Sequence, residues 1–262
     1  MIRQLANTLS MNPVVERAHA RYVHFRKHSG NRYAGIFESM AEAEAAIPRG
    51  RRVGYDHAVL AGFYRERMDR VFTEDYPVLY WLEKLLTKKT KVFDFGGHVG
   101  LHFYAYAPYL PYEELDWKVC DVHAVVEEGR RLAREHGKPT LSFTEAGEDA
   151  NGRGLFLSAG ALSYLEDGYL PRLLAGLQAP PKHLVLNKMP LHDVPTFVTL
   201  QDTGVSVHPY TVFERRAFVA SLEALGYALK DEWRTTDHHC HILFHPKQSV
   251  HAYSGLVFER QK

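Results

Sequence analysis

From Lys91 onward, short apolar runs alternate with longer segments whose apolar residues recur at helical spacing. "KVFDF" reads as a strand and "HVGLHFYAYAPYL" as a helix stopped at Pro111. "DWKVCDV" is a second strand, followed by the helix "AVVEEGRRLAREHG", which closes at Gly137. "PTLSFTEA" and "GLFLSAGAL" read as the third and fourth strands, "GYLPRLLAGL" as a helix, and "PKHLVLNKM" as the fifth strand. "VFERRAFVASLEALG" is an amphipathic helix ending at Gly226, and "YALKDEWR" and "AYSGLVFER" are two late strands. This alternation predicts an α/β fold with a parallel sheet covered by helices on both faces. Between the two late strands lies only "TTDHHCHILFHPKQSVH". A parallel crossover needs a helix, so the last strand is expected to run antiparallel.

The chain before Lys91 has a different texture. "NPVVERAHARYVHFRKHSG", "SMAEAEAAIP", "YDHAVLAGFYRERMDRVF" and "DYPVLYWLEKLLTKK" all carry helical spacing, the second with Ser39 as a cap. Residues 1–88 read as a mostly helical N-terminal region, with no strand pattern strong enough to form a sheet alone.

Composition narrows the function classes. A chain of 262 residues with 45% apolar content can bury a full core. A formal net charge of +1 gives no global field toward nucleic acid or an anionic membrane. The basic clusters "PRGRR" and "LTKKTK" are short and read as solvated surface. Two cysteines, Cys120 and Cys240, are too few for a disulfide scaffold, and Cys120 sits in an apolar run as a buried thiol. No signal-peptide core and no membrane-spanning run is present, so the expected location is the cytoplasm. The oligomeric state is not readable from these features.

The glycine cluster Asp94-Phe95-Gly96-Gly97-His98-Val99-Gly100 follows the first strand. A phosphate loop would end in Gly-Lys-Ser/Thr, and here Leu101 and His102 follow Gly100. A dinucleotide fingerprint needs G-x-G-x-x-G, and Asp94 would set a carboxylate beside the diphosphate. S-adenosylmethionine (SAM) carries an ammonium and a sulfonium and no phosphate. An acid at the strand end suits its amino acid tail, glycines allow close backbone approach, and the helix N-terminus can face its carboxylate. A second acid is expected at the end of the second strand for the ribose hydroxyls, and Asp121 stands there, followed by Val122.

At "VFDFGGHVGLHFYAY", "WKVCDVHAVVEEGRRLA", "LFLSAGALSYLEDGYLPRLL" and "LVLNKMPLHDVPTFVTLQ" the chain resembles the successive motifs of class I SAM-dependent methyltransferases. More narrowly, it resembles a bacterial family of methyltransferases with a D-x-G-G-x-x-G loop and a late segment, matched here by Tyr210, Phe213, Phe218, Leu222, Gly226, Tyr227, Asp231 and Trp233. The resemblance spans about residues 50–260. It implies a Rossmann-like, seven-stranded, mostly parallel sheet whose last strand is antiparallel, with residues 89–262 forming the SAM-binding domain. The cofactor residues it implies are Asp94, Gly96, Gly97, His98 and Gly100, then Asp121 at the ribose. Glu145 or Ala146 would flank the adenine, and Ser158, Ala159 and Gly160 would pass under the methionine part. Many relatives carry an acid or Asn at the place of Ser158, and the Asp-Pro-Pro-Tyr type motif of amino-group methylation is absent.

The expected reaction is methyl transfer to a small-molecule acceptor, foremost at oxygen. The alternatives are transfer to the nitrogen of an amino acid-like or amino-sugar acceptor, and a SAM-fold protein that binds without catalysis. A hydroxyl acceptor needs a general base. The stretch "NKMPLHDVPTFVTLQDTGVSVHPY" is long for a connection and rich in polar groups. In it, Gln201 and His208 are the leading substrate contacts and His208 the leading base, Tyr210 is a further catalytic candidate, and His98 in the glycine loop is expected to bond the cofactor carboxylate or to contact substrate. His98 and His102 have metal-ligand spacing but no evident third ligand, and "DHHCHILFHPK" places His239 and His241 opposite Cys240 in an extended segment. Both are read without a metal, the histidines of the second as a rim on the cleft. The N-terminal region is expected to cap the cleft, so that loss of residues 1–50 should harm turnover more than SAM binding.

Overall fold

The computed structural model describes residues 31–47, 49, 68–110 and 115–261. In chain order these form β1 (Arg32–Phe37), α1 (Met40–Ala45), α2 (Tyr76–Leu85), β2 (Val92–Phe95), α3 (Leu101–Tyr106), β3 (Trp117–Cys120), α4 (His123–Glu135), β4 (Leu141–Thr144), β5 (Leu155–Ala159), α5 (Tyr169–Gly176), β6 (His183–Met189), β7 (Leu191–His192), β8 (Phe197–Asp202), β9 (Val207–Glu214), α6 (Arg215–Glu223), β10 (Tyr227–Thr235) and β11 (Tyr253–Arg260). Two helices expected from the sequence, over 12–30 and over most of 55–72, lie outside the described residues. Among the described residues no helix is long and apolar enough to cross a membrane.

Seven strands make the main sheet in the order β10-β11-β6-β5-β2-β3-β4. β2, β3, β4, β5 and β6 pair in parallel, and β11 runs antiparallel to both β6 and β10. The sheet is therefore Rossmann-like, with the reversed last strand that the missing crossover helix requires.

Its strands are apolar on both faces, as strands buried between two helical layers must be. Val92, Leu155, Leu157, Val185 and Val257 face α2, α3 and α4. The intervening Phe93, Phe156, Leu184, Leu186, Leu256 and Phe258 face α5 and α6. In α2, Val78, Leu79 and Leu82 supply the buried stripe, and in α6 Phe218 and Leu222 do. The short α1 starts where Ser39 Oγ accepts the Glu42 N–H at 3.2 Å, and Glu42 Oε2 accepts the N–H of Glu38, the residue before the cap, at 2.8 Å.

The segment after the fifth strand is not a loop. β8 and β9 form an antiparallel hairpin, with β1 on the free edge of β8 and β7 beside β9. Val212, Phe213 and Glu214, read from the sequence as the start of a helix, are the last residues of β9. One face of this second sheet sets Val198 and Leu200 against α1 with Ala43 and Met40. The other sets Phe197, Tyr210 and Val212 against Cys240, Ile242 and Val250. So the N-terminal region contributes a strand as well as helices. That strand has no sheet of its own; its register places Tyr33 opposite Gln201 and Gln201 opposite His208.

Candidate active site

The carboxyl ends of the parallel strands open into a cleft of roughly 840 Å³. That lies within the range of small-molecule sites, roughly 300–1,000 Å³. At one end stand Gly96, His98, Asp121, Val122 and Glu145; at the other, Lys188, His238, Tyr253 and the second sheet.

The glycine loop is tight for steric reasons. Gly96 has φ +71, and a Cβ there would sit 2.1 Å from Ala161 Cβ, so the loops after β2 and β5 touch across it. Gly100, at φ +96, is the residue from which α3 starts. His98 also has a positive φ of 56 and donates its backbone N–H to Asp121 Oδ2 at 2.9 Å. Asp121 Oδ1 accepts the Val122 N–H at 2.8 Å. Asp121 also lines the cleft. Glu145 Oε1 lies 2.9 Å from His123 Nδ1, both exposed on the cleft rim. Ala159 and Gly160 also line the cleft.

Several expected site residues are placed elsewhere. Asp94 is fully buried and does not face the cleft. It accepts the Trp117 indole N–H at 3.0 Å, and His102 Nδ1 lies 2.9 Å from its Oδ1. Gly97 lies against this carboxylate: a Cβ there would be 2.3 Å from Asp94 Oδ2. Asp94 therefore shapes the loop from beneath, because the indole and imidazole take up its oxygens. Gly97, Gly100, Ala146 and Ser158 do not line the cleft either. Ser158 is buried in the sheet, in register with Phe95 and Leu186.

His208 shares the cleft-side face of β9 with Tyr210, yet the cleft does not reach it. Its Nε2 is 2.7 Å from Ser206 Oγ, and the Tyr164 ring packs edge-on at 5.7 Å between centroids. Gln201, Tyr210 and His98 do line the cleft. His98 and His102 share no helix face, since His98 lies in the turn before α3. His102 borders the cleft, and its ring is tied to Asp94. Burial pushes the His102 pKa down, but the charge and hydrogen bond of Asp94 more than offset this, and the net direction is up. In the histidine-rich segment His239 and His241 are exposed and Cys240 is buried, bridged to Val250. Burial pushes the Cys120 thiol up to about 12.

A polar group that motif reading passed over occupies the far end. Glu74 and Asp75, in the turn before α2, are buried. Lys188, at the end of β6 with φ 57, reaches both, at 3.4 Å and 3.5 Å. His238 Nε2 lies 2.8 Å from Glu74 Oε1, and its ring stacks on Tyr253. Burial raises the Glu74 pKa; its backbone hydrogen bond, His238 and Lys188 outweigh that, and the carboxyl stays below its ordinary value. Asn187 is structural, donating to the Glu74 carbonyl and accepting from Trp233. The sequence signals for this group were the position of Lys188, near the end of the fifth parallel strand where α/β sites gather, and the histidine-rich segment that carries His238 and was read as a rim on the cleft.

No family model and no curated protein matches the chain. Solved structures do. The chain is similar to 1,6-didemethyltoxoflavin-N1-methyltransferase of Burkholderia thailandensis, crystallised with 1,6-didemethyltoxoflavin and S-adenosylhomocysteine (SAH), at 16% identity over 72% of this chain and 79% of that one, with a TM-score of 0.51. It is similar to OxaC in complex with SAH and oxaline at 12% identity, with a TM-score of 0.51, over 78% of this chain and 51% of OxaC, so it spans about half of that protein's length. At these identities the likeness is one of fold, and that fold is shared with SAM-dependent methyltransferases.

Proposed function

We propose that the chain is a SAM-dependent methyltransferase that moves a methyl group to a hydroxyl of a small molecule. One observation carries this reading. A single cleft joins a glycine cradle beside Asp121 to a histidine that is hydrogen-bonded to a buried carboxylate. The cradle fits the cofactor: Gly96 leaves no room for a side chain, the Asp121 carboxylate lines the cleft where the ribose is expected, and Gly160 borders it where the methionine part is expected. Bound there, SAM supplies an electrophilic methyl on a sulfonium.

The chain's residues then position the acceptor and take its proton. Glu74, held ionised, fixes His238 with Nε2 toward the carboxylate, which leaves Nδ1 to receive a proton from the acceptor hydroxyl. Lys188 balances the charge of Glu74 and Asp75. His238 takes the role first assigned to His208.

Calorimetry with SAM and SAH tests the cofactor; binding of neither rejects both the enzyme and a SAM-binding sensor. Replacing His238 by Gln tests the base. For a hydroxyl acceptor, kcat should fall by roughly 10²–10⁴-fold and the low-pH limb of the rate profile should vanish, with SAH affinity unchanged. Retained turnover would instead favour a neutral amine acceptor, which needs no base.

A further inference from the structure

The cleft wall formed by the second sheet and the start of β11 is built from hydrogen-bonding side chains that are buried. Tyr33, Gln201, Tyr210 and Tyr253 are each less than a tenth exposed, and each lines the cleft. They form one chain with Tyr164. The Tyr164 hydroxyl donates to Gln201 Oε1 at 2.8 Å, and Gln201 Nε2 donates to Tyr33 Oη at 3.0 Å. Tyr33 and Tyr253 share a hydrogen bond of 3.1 Å, and Tyr210 donates to Tyr253 at 3.1 Å. The strand register makes the cluster possible, since Tyr33 and Gln201 stand directly opposite on β1 and β8.

Counting hydrogens shows what the cluster lacks. The Gln201 amide has two N–H bonds and one is used, whichever way the amide is turned. Burial pushes Tyr33 up to about 12 and holds Tyr210 and Tyr253 well above the ordinary range, so these hydroxyls keep their protons at neutral pH. Tyr253 accepts from Tyr210, and a single proton serves the Tyr33–Tyr253 contact. Two donors are therefore left without a partner in the cluster: the second Gln201 N–H and one hydroxyl of the Tyr33–Tyr253 pair. A buried donor without a partner costs roughly 1–3 kcal/mol, which a ligand acceptor atom would recover. The surrounding rings are flat partners: Tyr33 and Tyr164 meet Tyr210 edge-on at 5.4 and 5.3 Å between centroids, and His238 stacks on Tyr253.

We infer that this wall is the acceptor-specificity site, and that it selects flat aromatic hydroxy compounds carrying a carbonyl oxygen, which takes the spare N–H of Gln201 with help from the hydroxyl that the Tyr33–Tyr253 contact leaves over. The inference rests on the methyltransferase reading for the location of the acceptor. A site built to hydrogen-bond a ligand group rejects the analogue lacking that group far more strongly than an apolar pocket does.

The test is a binding comparison on the SAH-loaded full chain, by calorimetry, with 5-hydroxy-1-indanone and 5-indanol, which differ only in the carbonyl. The ketone should bind at least roughly 10-fold tighter. In Gln201→Leu and in Tyr253→Phe the gap should fall below about 3-fold, with SAH affinity unchanged as the check on folding. Equal binding of the two probes, binding of neither, or a gap that survives both substitutions overturns the inference. Failure to bind SAH, with the ketone preference intact, would sink the cofactor reading and leave the donor wall standing.

Discussion

Asp94 binds Trp117 and His102 beneath the glycine loop, and its burial makes the pair a pH-dependent element. The folded His102 has a raised pKa, so it binds its proton more tightly than the unfolded chain does. Its contribution to stability is complete below the ordinary histidine value of about 6.5 and is lost as pH rises through the higher folded value. Asp94→Asn should remove that pH dependence and cost about 1–3 kcal/mol at pH 6. Thermal melts between pH 5 and 9 check this: a parallel pair of stability curves for the two proteins would rule the linkage out. The acid before the glycines was legible as part of a glycine loop at a strand end. Its true partners were not, because Trp117 sits on another strand and His102 turns back from α3 to reach it.

Two glycines act at the scale of elements. At Gly96 a methyl group meets Ala161 Cβ at 2.1 Å, at a φ that side chains rarely adopt. Gly96→Ala should part the loops after β2 and β5 and weaken SAH binding by more than roughly 10-fold, measured by calorimetry. At Gly255, on β11, an added Cβ would lie 2.0 Å from Trp233 Cε2. Gly255→Ala displaces that indole from Asn187 and should cost about 1–3 kcal/mol by chemical denaturation, with SAH affinity within about 3-fold of the parent. The parallel strands and their helices were visible in the sequence because each is written in local periodicity, such as Leu155 and Leu157 facing one side and Phe156 the other. β8 and β9 were not, since both are buried on both faces and include the polar residues Gln201, Asp202, His208 and Thr211, which break the apolar alternation. β1 stayed hidden for a related reason: its pairing partner, β8, is far along the chain.

At the scale of the whole molecule, the N-terminal segment is bound to the cleft through β1, which supplies Tyr33 to its wall. Deleting residues 1–50 removes that strand and uncovers the edge of β8. Turnover should fall more than roughly 10-fold while SAH affinity stays within about 3-fold, and equal losses would show that the segment does not act on the acceptor side. Local alternation along the sequence determined the main sheet, its reversed last strand, and the places of the glycine loop and Asp121, because these depend on neighbours in sequence and on short connections. The tertiary structure alone decided that Asp94 turns inward, that His208 is screened by Tyr164, and that Asp75, His238, Tyr33 and Tyr253 meet in one cleft. Those outcomes depend on the direction of side chains from segments distant in the chain, which packing sets and periodicity does not record.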